Sequence, residues 1–234
     1  MLSSDLVVGA TGLVGSQLVE TLLSRGRNVR VLARRELQPR LTFAGQLDAR
    51  TINFETMHAE AEADDASTSS SYTLFQSIRN VYCCLGTTMK QAGSKQSFRR
   101  VDHDYVLATA RLAKRAGVQQ FHLVSAVGAN PDSSVFYSRT KGETEQALRA
   151  LQLQSLIIYR PSLLLGDRTE LRTAERLGAG FAKAVAWSMR GPLQRYRAIS
   201  ARTVARAMAN AADSGTFDMG TTVLESNEVA TLGA

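Results

Sequence analysis

Short apolar runs alternate along this chain with longer segments in which apolar residues recur at every third or fourth position. A short apolar run is typical of a buried strand, and the longer period is typical of an amphipathic helix. The runs predict strands at residues 6–9, 28–33, 50–54, 81–85, 121–125 and 155–160, with the tail at 222–234 as a candidate for a last strand. The helical period predicts helices at residues 13–25, 101–116, 138–151 and 202–212.

Strands and helices that alternate in this way favour an α/β fold, in which a parallel sheet is covered by helices on both faces. We therefore expect a doubly wound sheet in a chain of 234 residues, which is long enough for one domain with a sizeable core. Two segments interrupt the pattern. Residues 59–71 are acidic and then serine-rich, which predicts a surface loop, and residues 170–199 have helical stretches but no strong strand.

Composition narrows the classes of function. The formal net charge is +7, but the cations are scattered, so we expect no nucleic-acid partner. The two cysteines, Cys83 and Cys84, are neighbours in an apolar run and would point to opposite faces of a strand. The three histidines show no spacing typical of a metal site, so we expect no metal. Without a recognisable signal peptide or an apolar stretch near the roughly 20 residues of a membrane span, a cytoplasmic location is expected.

A glycine-rich turn follows the first predicted strand and opens the first predicted helix. Glycines at such a turn let the chain reverse tightly, let backbone approach a pyrophosphate, and let helix and strand pack closely. The helix N-terminus then offers free amide groups and a positive dipole end to the phosphates. The candidate cofactor-binding residues of this turn are Gly9, Thr11, Gly12, Leu13, Val14 and Gly15.

The residues after the second strand predict which dinucleotide is bound. An acidic residue there would bind the ribose hydroxyls of NAD. This chain has Arg34 and Arg35 instead, and a guanidinium can hold a 2′-phosphate through two hydrogen bonds and stack on adenine. The sequence therefore favours NADP(H) as the cofactor.

A tyrosine and a lysine four residues apart, Tyr137 and Lys141, stand where a helix follows the fifth strand. Residues at this spacing lie on one helix face, so both side chains can reach the cleft. A free phenol, with a pKa of about 10, is a poor base at neutral pH, and a nearby ammonium favours its ionised form. The pair can then exchange a proton with a carbonyl or alcohol oxygen while hydride moves.

These motifs together resemble the atypical short-chain dehydrogenases/reductases, and more narrowly the Tat-interacting protein family. The likeness covers residues 6–230 or so. The motifs that carry it are the glycine turn, Ala33-Arg34-Arg35, Cys83-Cys84-Leu85-Gly86-Thr87-Thr88, Arg100-Val101-Asp102-His103-Asp104-Tyr105-Val106, Tyr137 with Lys141-Gly142-Glu143, and Tyr159-Arg160-Pro161 leading to Gly166-Asp167-Arg168.

The resemblance implies roles for further positions. Leu85 and Gly86 would pass under the adenosine ribose, with Thr87 beside them in the cofactor site, and Arg160 and Pro161 would line the nicotinamide end.

Two positions depart from the pattern of the family. Asn53 stands where many relatives have an aspartate that holds the adenine amine, and its amide oxygen can accept the same hydrogen bond. Many relatives end the fifth strand with two serines, the second of which polarises the substrate carbonyl. This chain ends it with Ser125 and Ala126, so Ser125 is the candidate third catalytic residue.

The leading hypothesis is a single NAD(P)-binding Rossmann domain over residues 1–234, with residues 166–200 as a small C-terminal segment on the substrate side. It would be an NADPH-dependent reductase of a small carbonyl-type substrate, as a monomer or a homodimer. The alternative is an NADPH-binding regulatory or redox-sensing scaffold with little catalysis. A third reading, a nucleotide-sugar epimerase or dehydratase, is less favoured because such enzymes usually have a larger C-terminal region.

Overall fold

A computed structural model of the protein describes residues 4–35, 45–63, 69–165, 196–217 and 219–234. Seven of the described strands form one parallel sheet in the order β3-β2-β1-β4-β5-β6-β9, and β7 pairs with β8 apart from it. The strands are β1 (Ser4–Val8), β2 (Val29–Ala33), β3 (Leu47–Thr51), β4 (Ile78–Cys83), β5 (Gln120–Val124), β6 (Ser155–Arg160), β7 (Leu164–Leu165), β8 (Ile199–Ser200) and β9 (Gly220–Glu225).

Helices cover both faces of the sheet, as the alternating pattern predicts. The described helices are α1 (Leu13–Ser24), α2 (Phe54–Glu62), α3 (Ser70–Thr73), α4 (Met89–Ala92), α5 (Lys95–Arg99), α6 (Tyr105–Arg115), α7 (Phe136–Ala150), α8 (Ala201–Asp213) and α9 (Ser226–Leu232), with a π-helical turn at Arg100–Asp104 between α5 and α6. Helices α1 and α8 bury their apolar residues on one face of the sheet, and α2 and α6 bury theirs on the other. The expected Rossmann-type doubly wound fold is confirmed.

The order of the strands locates the crevice. The chain builds β1, β2 and β3 outward in one direction and then returns to place β4 on the other side of β1. In sheets of this kind a ligand binds outside the carboxyl ends of the strands where the order reverses. Here that point lies between the loops that follow β1 and β4.

The third strand and the helix after it differ from the prediction. The strand covers Leu47–Thr51 rather than residues 50–54, because Asn53 is the N-cap of α2 and its side chain accepts hydrogen bonds from the first turn. Helix α2 buries Phe54, Met57 and Ala61 at helical spacing and so occupies part of the predicted surface loop. Residues 64–68 of that predicted loop lie outside the described residues.

The C-terminal part of the chain adds the last strand of the sheet. The predicted strand in the tail is confirmed, since β9 pairs in parallel with β6 from Ser155↔Gly220 to Arg160↔Glu225, and α9 follows it. The predicted substrate-side segment at residues 166–200 lies outside the described residues as far as residue 195. Its role stays a prediction, as does the assignment of the whole chain to one domain.

Candidate active site

The turn after β1 comes so close to neighbouring backbone that side chains have no room there. Gly9 has φ of +86°, and a Cβ at this position would lie 2.5 Å from the carbonyl oxygen of Cys84. A Cβ on Gly15, in the first turn of α1, would lie 2.3 Å from the carbonyl oxygen of Gly9. The two glycines therefore let β1, β4 and α1 meet closely, and the N-terminus of α1 faces the crevice between the strands.

A cavity of about 530 Å³ opens at this crevice. Its wall combines the glycine turn, the end of β2, the loop after β4 and the segment from α4 to α6. The lining residues are Gly9, Ala10, Thr11, Gly12, Leu32, Ala33, Arg34, Phe54, Cys84, Leu85, Gly86, Thr87, Gln91, Ala92, Ser97, Val101 and Tyr105. The structure thus brings together the predicted glycine turn, Arg34 and the predicted residues after β4 around one elongated space.

Arg34 and Arg35 follow β2 at the edge of the cavity. Both side chains are exposed, and Arg34 is part of the cavity lining. Arg34 is also the charged residue of that lining, which contains no aspartate or glutamate among the residues the structure describes. This end of the cavity is therefore suited to an anionic group.

The predicted adenine acceptor, Asn53, is used for a different purpose. Its Oδ1 atom accepts the backbone amides of Glu55 (2.8 Å) and Thr56 (3.4 Å), which caps α2. The aromatic residues Phe54 and Tyr105 line the cavity instead, with ring centroids 5.3 Å apart. The Tyr105 hydroxyl donates to Oε1 of Glu55 at 2.6 Å, and burial together with this carboxylate raises the pKa of Tyr105 to about 12.

Sequence reasoning missed these two aromatic residues. The apolar pattern predicts that Phe54 ends a strand, and Tyr105 enters the prediction only within the motif from Arg100 to Val106. The signal that could have found Phe54 was the position of Asn53, since asparagine is among the preferred residues immediately before a helix.

The predicted Tyr-Lys pair lies at the start of α7. Tyr137 is 40% exposed, and its ring centroid is 5.7 Å from that of Phe98. Lys141, one turn later, is buried. A Cβ added to Gly86, which forms the floor of the cavity, would lie 4.0 Å from Nζ of Lys141, so the ammonium lies close to this floor although Lys141 is not itself a lining residue.

Lys141 forms an ion pair that the sequence did not reveal. Its Nζ lies 2.8 Å from Oδ1 of Asp102, in the π-helical turn before α6. Burial alone would lower the pKa of Lys141, but attraction by Asp102, and then by Tyr137, raises it above the ordinary value. The lysine is therefore charged at neutral pH. Its positive charge interacts with the carboxylate of Asp102 and with the phenol of Tyr137, which becomes negative when it ionises.

Ser125 and Arg160 belong to a second, neighbouring network. The Ser125 hydroxyl donates to Oε1 of the buried Glu145 at 2.6 Å. Arg160 grips the same carboxylate with Nε (3.0 Å) and Nη2 (2.6 Å), and its Nη1 donates to Glu225 at 3.0 Å. The structure therefore gives both predicted site residues a protein carboxylate as partner. Pro161 follows β6, where its carbonyl accepts the amide of Val127 at 2.9 Å.

Two general features of the described residues bear on the kind of site. They contain no group of three or more His, Cys, Asp or Glu side chains that could hold a metal ion. Among the same residues, no helix combines the length and the apolar composition that crossing a bilayer requires.

The doubly wound sheet, the glycine turn and the cavity at the reversal of strand order define a dinucleotide-binding Rossmann protein. The NAD(P)H-binding family profile matches residues 9–214, and the chain belongs to this family as an atypical short-chain dehydrogenase/reductase that resembles the Tat-interacting proteins.

Curated relatives support the narrower assignment. The chain is 34% identical over 209 residues to Protein HTATIP2 of Rattus norvegicus, covering 88% of this chain and 80% of that protein. It is 31% identical over 167 residues to the mitochondrial Protein FMP52 of Debaryomyces hansenii, covering 70% and 68%. Among solved structures, the Bordetella bronchiseptica enzyme WbmH in complex with NAD+ has a TM-score of 0.67 at 14% identity, over 96% of this chain and 76% of that one, which shows the shared fold.

Proposed function

We propose that this protein is an NADPH-dependent reductase of a small carbonyl-type substrate. The observation that carries the proposal is the position of Lys141. Its ammonium lies beside Gly86 at the floor of the dinucleotide cavity, and Tyr137 stands one helical turn away on the same face of α7. The lysine of the proposed proton-transfer pair therefore lies close to the wall of the cofactor cavity.

The residues present fit a dinucleotide. The cradle formed by Gly9 and Gly12 is one that a Cβ would fill, since a Cβ on Gly12 would lie 3.3 Å from the carbonyl oxygen of Gly9. The glycine turn would hold the pyrophosphate, Phe54 and Tyr105 would contact the adenine, and Lys141 would reach the nicotinamide ribose. When bound, the cofactor supplies a hydride to the substrate carbon.

The protein's own part in the reaction is to bind the carbonyl and to deliver a proton. The phenol of Tyr137 would donate its proton to the carbonyl oxygen, because Tyr137 is partly exposed and lies one helical turn from Lys141. Lys141 would stabilise the phenolate that remains and so make the transfer easier. A proton from solvent would then restore the phenol.

The preference for NADPH over NADH rests on Arg34 and Arg35. No described hydrogen bond or ion pair occupies the Arg34 guanidinium, and the described cavity lining has no acid that would repel a phosphate. An unpaired guanidinium can form two charge-assisted hydrogen bonds with the 2′-phosphate that distinguishes NADPH.

Two partly exposed side chains with apolar surface lie at the start of α7. Val135 is 58% exposed immediately before α7, and the exposed ring of Tyr137 packs on Phe98. Exposed apolar side chains beside a catalytic group favour a substrate with an apolar body, of which only the carbonyl needs polar contacts.

A second candidate function is an NADPH-binding regulatory or redox-sensing protein with little catalysis. The observation that favours it is the hydrogen bond from Ser125 to Glu145, because a serine committed to a buried carboxylate does not polarise a substrate carbonyl. The intact Tyr-Lys pair favours the reductase. The cytoplasmic location and the oligomeric state stay predictions from the sequence, and the fungal relatives are named as mitochondrial proteins.

Replacing Tyr137 with Phe separates the two candidates. In a reductase, Tyr137→Phe should lower turnover by about 10² to 10⁴ while NADPH affinity stays within about threefold, because only the proton source is lost. The assay follows NADPH oxidation with a panel of aldehydes, ketones and quinones. Tyr72→Phe, which deletes the hydroxyl of a half-buried tyrosine in α3, is the matched control. Absence of turnover by the unmodified protein with every substrate would favour the regulatory function.

A further inference from the structure

The buried ion pair between Asp102 and Lys141 is the feature from which a further role can be derived. The side chains are 1% and 8% exposed, and the two charged atoms are 2.8 Å apart. A buried ammonium without a counter-charge tends to lose its proton, because burial disfavours the charged form. Removal of one partner from such a pair leaves the other charge uncompensated.

The other groups that face Lys141 do not replace Asp102. Cys83, at the end of β4, is a buried thiol whose pKa is raised by burial to about 12, so it carries no charge at neutral pH. Among the residues the structure describes, Tyr137, on α7, is the remaining group that attracts the ammonium, and it is a phenol. The carboxylate in contact with Lys141 therefore comes from the π-helical turn.

Asp102 is itself held in a defined orientation. Its Oδ2 atom accepts a hydrogen bond from the backbone amide of Thr87 at 2.9 Å, and its backbone carbonyl accepts one from the hydroxyl of Thr144 at 3.0 Å. The other carboxylate oxygen, Oδ1, is then directed to Lys141, 3.5 Å from the place where a Cβ on Gly86 would lie. One carboxylate thus connects the loop that floors the cavity with the lysine of α7.

We infer that Asp102 is a positioning residue of the proposed reductase, whose carboxylate keeps the buried ammonium of Lys141 charged and holds it beside Gly86 at the cavity floor. The inference rests on the proposed function. Lys141 would act on the cofactor and on Tyr137, and Asp102 would act through its ion pair with Lys141.

Asp102→Asn is the variant that tests this role. Asparagine has the same size and can still accept the Thr87 amide, but it carries no charge. Burial would then dominate at Lys141, and the pKa of its ammonium should fall by about one to four units. Asp104→Asn is the matched control, since Asp104 lies in the same turn and pairs with Arg100 and His103 rather than with Lys141.

The protonation state of Lys141 can be read without any substrate. In protein labelled with ¹³C at lysine Cε, the Lys141 signal is assigned by its absence in Lys141→Met and followed by NMR from pH 6 to 11. We expect the Asp102→Asn midpoint to lie about one to four pH units below the midpoints of the unmodified protein and Asp104→Asn. Equal midpoints in Asp102→Asn and the unmodified protein would overturn the inference.

Cofactor binding gives a second readout. At pH 6 the Asp102→Asn variant should bind NADPH within about threefold of the unmodified protein, and at a pH above its own Lys141 midpoint about tenfold more weakly, because a charged contact is then missing. At that pH its affinity and turnover should approach those of Lys141→Met, which lacks the ammonium at every pH. A uniform loss at all pH values would contradict the proposed role. If the unmodified protein reduces no carbonyl, the reductase fails while the NMR result is still interpretable.

A double substitution tests the coupling of the two charges if Asp102→Asn alone does not fold. Lys141→Met leaves the Asp102 carboxylate buried without its partner, whereas Lys141→Met with Asp102→Asn leaves no charge at all. We expect the double variant to melt at a higher temperature than Lys141→Met alone. Equal melting temperatures would mean that the two charges are not coupled, and the inference would be wrong.

Discussion

His122 lies in the core of the sheet, where its imidazole has little capacity to take up a proton. The side chain is fully buried, and its ring stacks between Tyr82 and Tyr159 at centroid distances of 4.5 and 5.9 Å. Nδ1 is 2.9 Å from the Tyr159 hydroxyl oxygen, and Nε2 is 3.2 Å from Oε1 of Gln120. Burial, assisted by the positive charge of Arg27, lowers the pKa of His122 from 6.5 to about 3.

Asp5, near the start of β1, is a carboxyl group that takes up a proton more readily than usual, unlike His122. The carboxylate is 2% exposed, with Oδ2 at 2.6 Å from Nε of Arg27 and Oδ1 accepting the Asn80 amide at 2.9 Å. Burial outweighs both favourable contacts and raises the pKa of Asp5 from 3.8 to about 6. The folded protein therefore binds a proton at Asp5 more readily than the unfolded chain does.

The two shifts change stability with pH in opposite directions. His122 is protonated in the unfolded chain below pH 6.5 but not in the folded protein, so between pH 8 and pH 5 it lowers the free energy of unfolding by about 2 kcal/mol. Asp5 contributes stability that is present below pH 3.8 and lost as pH rises through about 6, so over the same interval it raises the free energy of unfolding by about 1.4 kcal/mol. The two contributions nearly cancel.

Single substitutions should reveal each contribution alone. Between pH 8 and pH 5, His122→Gln should gain about 2 kcal/mol and Asp5→Asn should lose about 1.4 kcal/mol of stability, each relative to the change in the unmodified protein. Urea unfolding at the two pH values measures both, and the double variant should again follow the unmodified protein to within about 1 kcal/mol. If both single variants keep the pH dependence of the unmodified protein, these two groups do not bind protons as their burial indicates.

Two further predictions concern the site. Arg34→Ala combined with Arg35→Ala should weaken NADPH about tenfold to a hundredfold in fluorescence titrations and leave NADH within about threefold, because the charge-assisted contacts to the 2′-phosphate are lost; equal losses for both cofactors would contradict the NADPH preference. Ser125→Ala should keep turnover within about threefold and cost roughly 1–3 kcal/mol of stability, since the hydroxyl donates to Glu145. A hundredfold fall in turnover with stability unchanged would instead place Ser125 in the catalytic triad.

The sequence predicted the sheet and the glycine turn because both depend on local patterns. Apolar runs and helical periods are local, and four of the seven sheet strands, β1, β2, β5 and β6, begin and end within two residues of the predicted ranges. Strand β4 begins three residues before its predicted range, and the predicted tail strand ends where α9 begins. Strand β3 is charged and mostly exposed, so the apolar pattern predicts a strand that begins three residues too late. The boundary between β3 and α2 is set by Asn53, whose side chain caps the first turn of α2.

The partners of the charged site residues could not be predicted in the same way. Asp102 and Lys141, or Arg160 and Glu225, meet only because different strands and helices end at the same edge of the sheet. Spacing along the chain has no bearing on such pairs. For this reason the family resemblance implies a place for Arg160 at the nicotinamide end without indicating that two carboxylates hold its guanidinium.

Glu145 is the residue that the four-residue period would have revealed. Tyr137, Lys141 and Glu145 follow one another at that interval on α7, so one face of the helix carries the phenol, the ammonium and the carboxylate that binds Ser125 and Arg160. The position of this face is fixed at Gly142, where a Cβ would lie 2.2 Å from the backbone carbonyl carbon of Asn130. The loop after β5 can pack against α7 only at a glycine, and that contact sets how far both the Tyr-Lys pair and Glu145 reach toward the sheet. A side chain at residue 142 would therefore displace the proton-transfer pair and the Ser125 network together.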